Sequence, residues 1–140
     1  MCGSSPFQGF AGLGFKDMSG SSGICHQRSE ISIAEITDGT ASTYLVGEKN
    51  VAIADYSTGL DPGDDQCYLS GDDLDLQRWT ADPPLADQPD EHHGFAFGST
   101  HPSGFNMVYA DVSVHHLPYD INPIVHRLRG NRSDGEVIPE

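Results

Sequence analysis

The stretch STHPSGFNMVYADVSVHHL, residues 99–117, alternates its side chains with a period of two, the pattern of a strand with one buried face. Three large apolar residues are expected to share that face: Phe105, Met107 and Tyr109. His101 and Asp111 stand near the two ends of the stretch and pose the question of a catalytic pair. Ten residues of straight strand span about 30 Å, which excludes direct proton transfer. We therefore interpret both residues as structural.

The rest of the chain predicts a sheet with one helix after it. Three segments rich in β-branched and aromatic residues predict its antiparallel strands: 43–53, 95–99 and 105–117. A short C-terminal helix is predicted after Asp120 or Asn122, with Pro123 in its first turn and Gly130 at its end. Its apolar residues at helical spacing are Ile124, Val125 and Leu128. The expected class is α+β, mostly β, with long loops.

The length of 140 residues suits one domain. Residues 1–28 are rich in Gly and Ser and predict an irregular segment, and residues 29–140 predict a single globular domain. The first residues have neither the basic nor the apolar part of a secretory signal, and no apolar run reaches the roughly 20 residues of a membrane span. Any export signal is expected outside this sequence.

The chain is strongly acidic, with 21 Asp and Glu against 7 Lys and Arg and a formal charge of −14. This charge repels phosphate backbones and anionic lipids, so it disfavours nucleic acid and membrane surfaces as partners. Aspartates separated by glycines favour calcium, a hard cation, although a solvated acidic loop fits them equally and the EF-hand pattern is lacking. The predicted calcium ligands are Asp61, Asp64, Asp65, Asp72 and Asp73.

The cysteines lack the C-x-x-C spacing of zinc and redox sites. We expect Cys25 and Cys67 to form a disulfide in an oxidising compartment, because Cys2 lies near a terminus. The histidine pairs 92–93 and 115–116 could offer imidazoles to zinc or copper, but neighbours on a strand face opposite ways, which favours surface histidines. Trp79 is predicted to anchor the core, with stacking on a sugar as the alternative.

Three stretches between residues 31 and 138 carry a resemblance: ITDGTASTYLVGEK (36–49), FGSTHPSGFNMVYADVSVHHL (97–117) and RLRGNRSDGEVI (127–138). They are similar to the C-terminal head of bacterial prepilin-type proteins with the H-x9-DG processing-associated motif, a family also catalogued as extracellular solute-binding proteins. The matching motif residues are Asp38, Gly39, Glu48, His101 and Asp111. Val112 stands where the family has glycine. Because a β-branched residue resists positive φ, we expect another turn type or a turn moved by one residue.

The resemblance implies a non-catalytic, pilin-like or pseudopilin-like surface subunit outside the cytoplasm, as in type II secretion-like filaments. Its partners would be other copies of itself or related pilin-like subunits, and a missing N-terminal helix would be its only membrane attachment. The alternative is an extracellular solute- or carbohydrate-binding head. A metal-dependent hydrolase has the least support, because the sequence has no nucleophile elbow, metal motif or phosphate cradle. We expect no enzymatic activity.

Overall fold

The protein contains an antiparallel sheet and one short C-terminal helix. The structure is a computed structural model, and it describes residues 18–67 and 73–139. The strands are β1 (Tyr44–Gly47), β2 (Leu85–Ala86), β3 (Gly98–Ser99), β4 (Gly104–Tyr109) and β5 (Val114–Pro118), and the helix is α1 (Pro123–Arg129). The antiparallel sheet has the order β1-β4-β5, whereas β2 and β3 form a separate parallel pair. The predicted class, mostly β with an antiparallel sheet and a short terminal helix, is confirmed. Within the described residues, no helix has the length and hydropathy of a membrane span.

The first predicted strand, 43–53, is longer than the strand observed, because β1 ends at Gly47. Beyond it, the backbone N–H groups have mixed partners: Glu48 still donates to the Asn106 carbonyl of β4, whereas Val51 and Ala52 donate to side-chain carboxylates. The N–H of Ala52 donates to Asp61 Oδ2 at 2.7 Å. A carboxylate thus takes over an N–H that would otherwise need a strand partner.

The predicted strand 95–99 does not belong to the antiparallel sheet, which corrects the sequence prediction. Only β3 forms within it, and β3 runs parallel to β2 with Leu85 opposite Gly98. A Cβ on Gly98 would lie 2.0 Å from the Leu85 carbonyl oxygen, so the close approach requires glycine. Side-chain alternation does not reveal a two-residue strand of this kind.

The core lies on one face of the antiparallel sheet. Phe105, Met107 and Tyr109 are fully buried there, which confirms the predicted face of β4. The cluster is completed by Tyr44, Phe97 and Leu117. Trp79 is also buried and packs edge-on against Phe95 at 5.0 Å, so its predicted role as a core anchor is confirmed and stacking on a sugar is excluded by burial.

The helix begins and ends where the sequence predicts. Asn122 Oδ1 accepts the N–H of Ile124 at 2.9 Å, Pro123 is the first helical residue and Gly130 follows the last. The predicted apolar face is wrong in part, because Ile124 is 55% exposed whereas His126 is 0% exposed. The imidazole of His126 packs among core aromatic rings, and this burial lowers its pKa to about 4.

The β4–β5 turn keeps a valine in the left-handed region, so the expectation of a different or shifted turn is wrong. Val112 has φ 71°. Its N–H donates to the Tyr109 carbonyl, and Asp111 Oδ1 accepts the backbone N–H and the hydroxyl of Ser113 at 2.9 and 2.6 Å. These bonds hold Val112 in a conformation that costs a β-branched residue about 1–2 kcal/mol.

The predicted disulfide is not formed, since Cys25 and Cys67 are both free, exposed thiols. Cys25 Sγ lies 3.9 Å from the Leu45 carbonyl beside β1. Cys67 belongs instead to the aspartate-rich segment 61–75, which we call the acidic loop. Cys2 lies outside the described residues.

Candidate functional site

The five motif residues separate into two groups at opposite ends of β4. Glu48 and His101 lie together at the end where β4 begins, with His101 Nε2 3.4 Å from Glu48 Oε1. Asp38, Gly39 and Asp111 lie near the end where β4 turns into β5, because the Asp111 N–H donates to the loop that holds Asp38. The structure thus separates His101 from Asp111, as the sequence predicts for a straight strand.

We call Asp38, Gly39 and Asp111 the turn cluster. Its two acids contact backbone groups. Asp38 accepts the N–H groups of Asp134 and Gly135 at 2.7 and 3.0 Å. The hydrogen bonds from Ser113 hold the pKa of Asp111 below its usual range. The turn cluster therefore joins the C-terminal segment to the hairpin.

The other end of β4 adjoins an open pocket of about 350 Å³, which we call the strand-end pocket. Strands β1, β2 and β3 each deliver residues to it directly after their last position. Its lining residues are Glu48, Lys49, Val51, Tyr56, Asp64, Asp87, Ser99, Thr100 and His101. Because β2 and β3 are parallel, their carboxyl ends meet at the same edge and place Asp87 beside Thr100 and His101.

Glu48 is held rigidly at the rim of the pocket. Its Oε2 accepts the backbone N–H of Asn106 at 2.6 Å, and its Oε1 accepts the amide of the same residue at 3.0 Å. Burial would raise the pKa of Glu48, but the bonds from Asn106 and the charge of His101 outweigh it and leave the pKa below its usual range. Glu48 is therefore a fixed carboxylate anion.

Asp87 and Tyr56 form a second fixed pair on the pocket wall. Asp87 Oδ1 accepts from the Val51 N–H at 3.1 Å and from Asn50 Nδ2 at 3.2 Å. Its Oδ2 accepts the hydroxyl of Tyr56 at 2.5 Å. Burial and the neighbouring carboxylate raise the pKa of Tyr56, so this hydroxyl stays protonated and donating. The tyrosine ring is half exposed beside the pocket.

Lys49 joins the pocket to the acidic loop. Its ammonium donates to the carbonyls of Gly63 and Asp75 at 2.6 and 3.3 Å and pairs with Asp64 Oδ1 at 2.5 Å. An ammonium has three donors, so these contacts occupy all of them. The pairing with Asp64 neutralises one predicted calcium ligand.

Arg78 is the second internal cation of the acidic loop. It is buried, and its guanidinium donates to the carbonyls of Leu74, Gln77 and Gly63. Burial lowers its pKa to about 10 even though nearby aspartates oppose the shift, so Arg78 remains charged at neutral pH. The described ends of the acidic loop, 61–67 and 73–75, therefore contact cations from the chain itself.

The four predicted calcium ligands that the structure describes do not gather at one point. Asp61 is buried and accepts the N–H groups of Ala52 and Gly63, both at 2.7 Å; burial would raise its pKa, but these bonds outweigh it and lower the pKa. Asp64 pairs with Lys49, and Asp65 is exposed. Asp73 is half-buried. Asp72 lies outside the described residues.

One group of carboxylates and a histidine, different from the predicted calcium ligands, could hold a metal ion. Within residues 18–67 and 73–139, only Asp55, Asp61 and His92 bring three such atoms within 4.8 Å of one another. The His92 ring nitrogens lie 3.2 Å from Asp61 and 3.7 Å from Asp55.

Calcium binding stays a prediction, tested by melting the protein in calcium, magnesium and sodium chloride at equal ionic strength. A larger rise in Tm with calcium would support it.

Sequence reasoning missed several residues of this region: Lys49, Tyr56, Arg78 and Asp87. For two of them the sequence holds a signal, because Lys49 and Arg78 are the only lysine or arginine between residues 29 and 126. Isolated cations within so acidic a stretch indicate internal charge pairing. Tyr56 and Asp87 have no comparable signal, because they lie 31 residues apart in the sequence and meet only in the folded chain.

The outer face of the antiparallel sheet carries an apolar row, which we call the valine row. Val46 is opposite Val108, and Val108 is opposite Val114. Val46 and Val114 are 58% and 66% exposed. The neighbouring row is polar, with Asn106 Oδ1 3.2 Å from His116 Nδ1.

Fold and site together describe a mostly β domain with a polar pocket where its strands end. The family described as "Protein of unknown function (DUF1559)", with the short name SBP_bac_10, matches residues 10–123. The chain belongs to this family, whose name indicates an extracellular binding protein. The family match spans His101 to Val112 but does not by itself show the prepilin-type motif, whose glycine is replaced here by Val112. Neither the curated proteins nor the solved structures gave a match.

Proposed function

We propose that the protein is an extracellular binding domain that holds a small polar solute in the strand-end pocket. The observation that carries this proposal is the convergence of Glu48, Asp87 and His101, from the ends of three strands, on one open pocket of about 350 Å³. Pockets for small ligands span about 300–1,000 Å³ and contain a few fixed polar groups. The family name supports the same class of function.

The side-chain contacts favour binding without chemistry. Ser99 Oγ donates to the Gly104 carbonyl at 3.1 Å and accepts the His101 N–H at 3.0 Å, so backbone groups hold this hydroxyl. A nucleophilic serine needs hydrogen bonding to a base that a third group orients. Glu48 and Asp87 are fixed by bonds within the protein, as suits carboxylates that position a ligand.

The test is a titration followed by amide chemical shifts, using a panel of sugars, amino acids, amines and carboxylic acids. A bound solute should shift the amides of Val51, Tyr56, Thr100 and His101. The amide of Asp111, at the far end of β4, serves as the internal control. A panel that shifts none of the pocket amides, or shifts only amides elsewhere, would contradict the proposal.

A second function, a pilin-like surface subunit, is favoured by the valine row. Exposed apolar side chains in register across three strands suit contact with another copy or a related subunit. We propose this role as an addition to solute binding, since the valine row and the strand-end pocket are different surfaces. The acidic charge would oppose self-association at low salt.

Crosslinking and light scattering in high salt test the assembly role. Val46→Ser with Val114→Ser should reduce association, whereas Val137→Ser, at an exposed valine outside the sheet, should leave it unchanged. Equal association in both variants would contradict a role for the valine row and leave solute binding untouched.

A further inference from the structure

We propose that the solute of the strand-end pocket is a small organic cation, an alkylammonium with a short apolar body. This inference rests on the proposed solute-binding function and names its ligand class. It follows from which charged groups of the pocket remain available to a ligand.

The cation of the pocket is not available. Lys49 is the one lysine or arginine among the lining residues, and its three donors already contact Gly63, Asp75 and Asp64. His101 directs Nε2 toward Glu48. An anionic solute would therefore enter the pocket without a free cation to pair with, a costly arrangement for a partly desolvated charge.

The anions of the pocket are available. An ionised carboxylate has about four acceptor positions. Asp87 accepts three hydrogen bonds, and Glu48 accepts two and contacts His101 at 3.4 Å, so each keeps about one position for a ligand. Asp64 contacts Lys49 and is half exposed. With three carboxylates and one ammonium, the pocket is negative whether or not His101 carries a proton. Such a pocket accepts hydrogen bonds from an ammonium group and balances its charge.

The apolar part of the lining suits the body of such a cation. Val51 is half-buried at the pocket, and the ring of Tyr56 is 51% exposed beside the carboxylates. A cation over an aromatic ring is attracted to its face, and an alkyl chain removes apolar surface from water at Val51. The overall charge of −14 adds long-range attraction for cations and repulsion for anions.

Three four-carbon probes of matched length test the ligand class: 1,4-diaminobutane, 1,4-butanediol and succinate. Calorimetry and amide shifts should show diaminobutane binding at the strand-end pocket, with weaker binding at higher salt. Asp87→Asn and Glu48→Gln should each weaken binding at least tenfold. Asp82→Asn, which removes the same charge from an exposed position outside the pocket, is the matched control and should bind normally. Asp64→Asn gives a further pocket variant should either of the first two fail to fold.

Each failure has its own meaning. Preferred binding of butanediol or succinate at the pocket would overturn the cation inference and leave the solute-binding function standing. The same holds if diaminobutane shifts no pocket amide while another solute of the panel does. Equal weakening by Asp82→Asn, or shifts spread over the whole surface, would mean diffuse counterion attraction and would also overturn the inference.

Discussion

The two ends of β4 place similar motif acids in different surroundings. At the turn cluster, Asp38 contacts backbone N–H groups and Asp111 contacts the backbone and hydroxyl of the neighbouring serine. At the strand-end pocket, Glu48 and Asp87 are fixed on one side and face exposed groups such as His101 on the other. The turn-cluster acids tie segments of the chain together and do not line the strand-end pocket, whereas Glu48 and Asp87 line it and can also meet a ligand.

The largest expected effect concerns His126, which lies in the core beneath β4. Its pKa is lowered from 6.5 to about 4, so the unfolded chain binds a proton more readily than the folded one. Stability is therefore complete above pH 6.5 and falls as pH decreases toward 4, by about 3 kcal/mol. Urea unfolding at pH 7.5, 5.5 and 4.5 measures this loss. His126→Phe should flatten the slope over that range, and an unchanged slope would assign it to other groups.

The next largest effect is expected when one variant at each end of β4 is compared for stability and for solute binding. Asp38→Ala removes a charged acceptor from two backbone N–H groups and should cost about 1–2 kcal/mol without changing solute binding. His101→Ala removes an exposed partner of Glu48 and should cost less than about 0.5 kcal/mol while altering solute binding. Denaturant melts and titrations on both variants decide it. A stability loss at His101 as large as at Asp38 would erase the distinction between the ends.

The smallest expected effect is a gain in folding stability at the β4–β5 turn. Val112→Gly releases a valine from φ 71°, and this gain should exceed the added freedom of the unfolded chain, leaving about 0.5–1 kcal/mol of stabilisation. A thermal melt should show a higher Tm. Val114→Gly, within β5, is the control and should lower the Tm because its backbone is extended. A lower Tm for Val112→Gly would mean that its side chain makes a contact worth more than the strain.

Local patterns made part of the fold predictable. The alternation around Phe105 and the cap at Asn122 depend on neighbours a few residues apart, so both could be inferred correctly. The burial of His126 could not be inferred, because histidine is a polar residue and the aromatic rings around it come from distant segments. Val112 also escaped, because bonds from Asp111 and Ser113 override its own preference.

The candidate site was predictable only in its motif residues. Glu48 and His101 were recognised as positions of interest, but their pairing depends on β1 and β3 ending at the same place. That meeting requires a close approach at Gly98 and the side chain of Asn50, which donates to the carbonyl of Ala86. The bond from Asn50 to Ala86 spans 36 residues, and contacts of this kind leave no periodic trace in the sequence.

The burial of Trp79 gives the protein an optical reporter of its own. It is the single tryptophan of the chain, it packs edge-on against Phe95 and its backbone N–H donates to the carbonyl of Phe95, next to buried Arg78. Its fluorescence should therefore be blue-shifted in the folded protein and move to longer wavelength when the protein unfolds. Because Trp79 does not line the strand-end pocket, emission that stays constant during a titration would separate ligand binding from unfolding without any label.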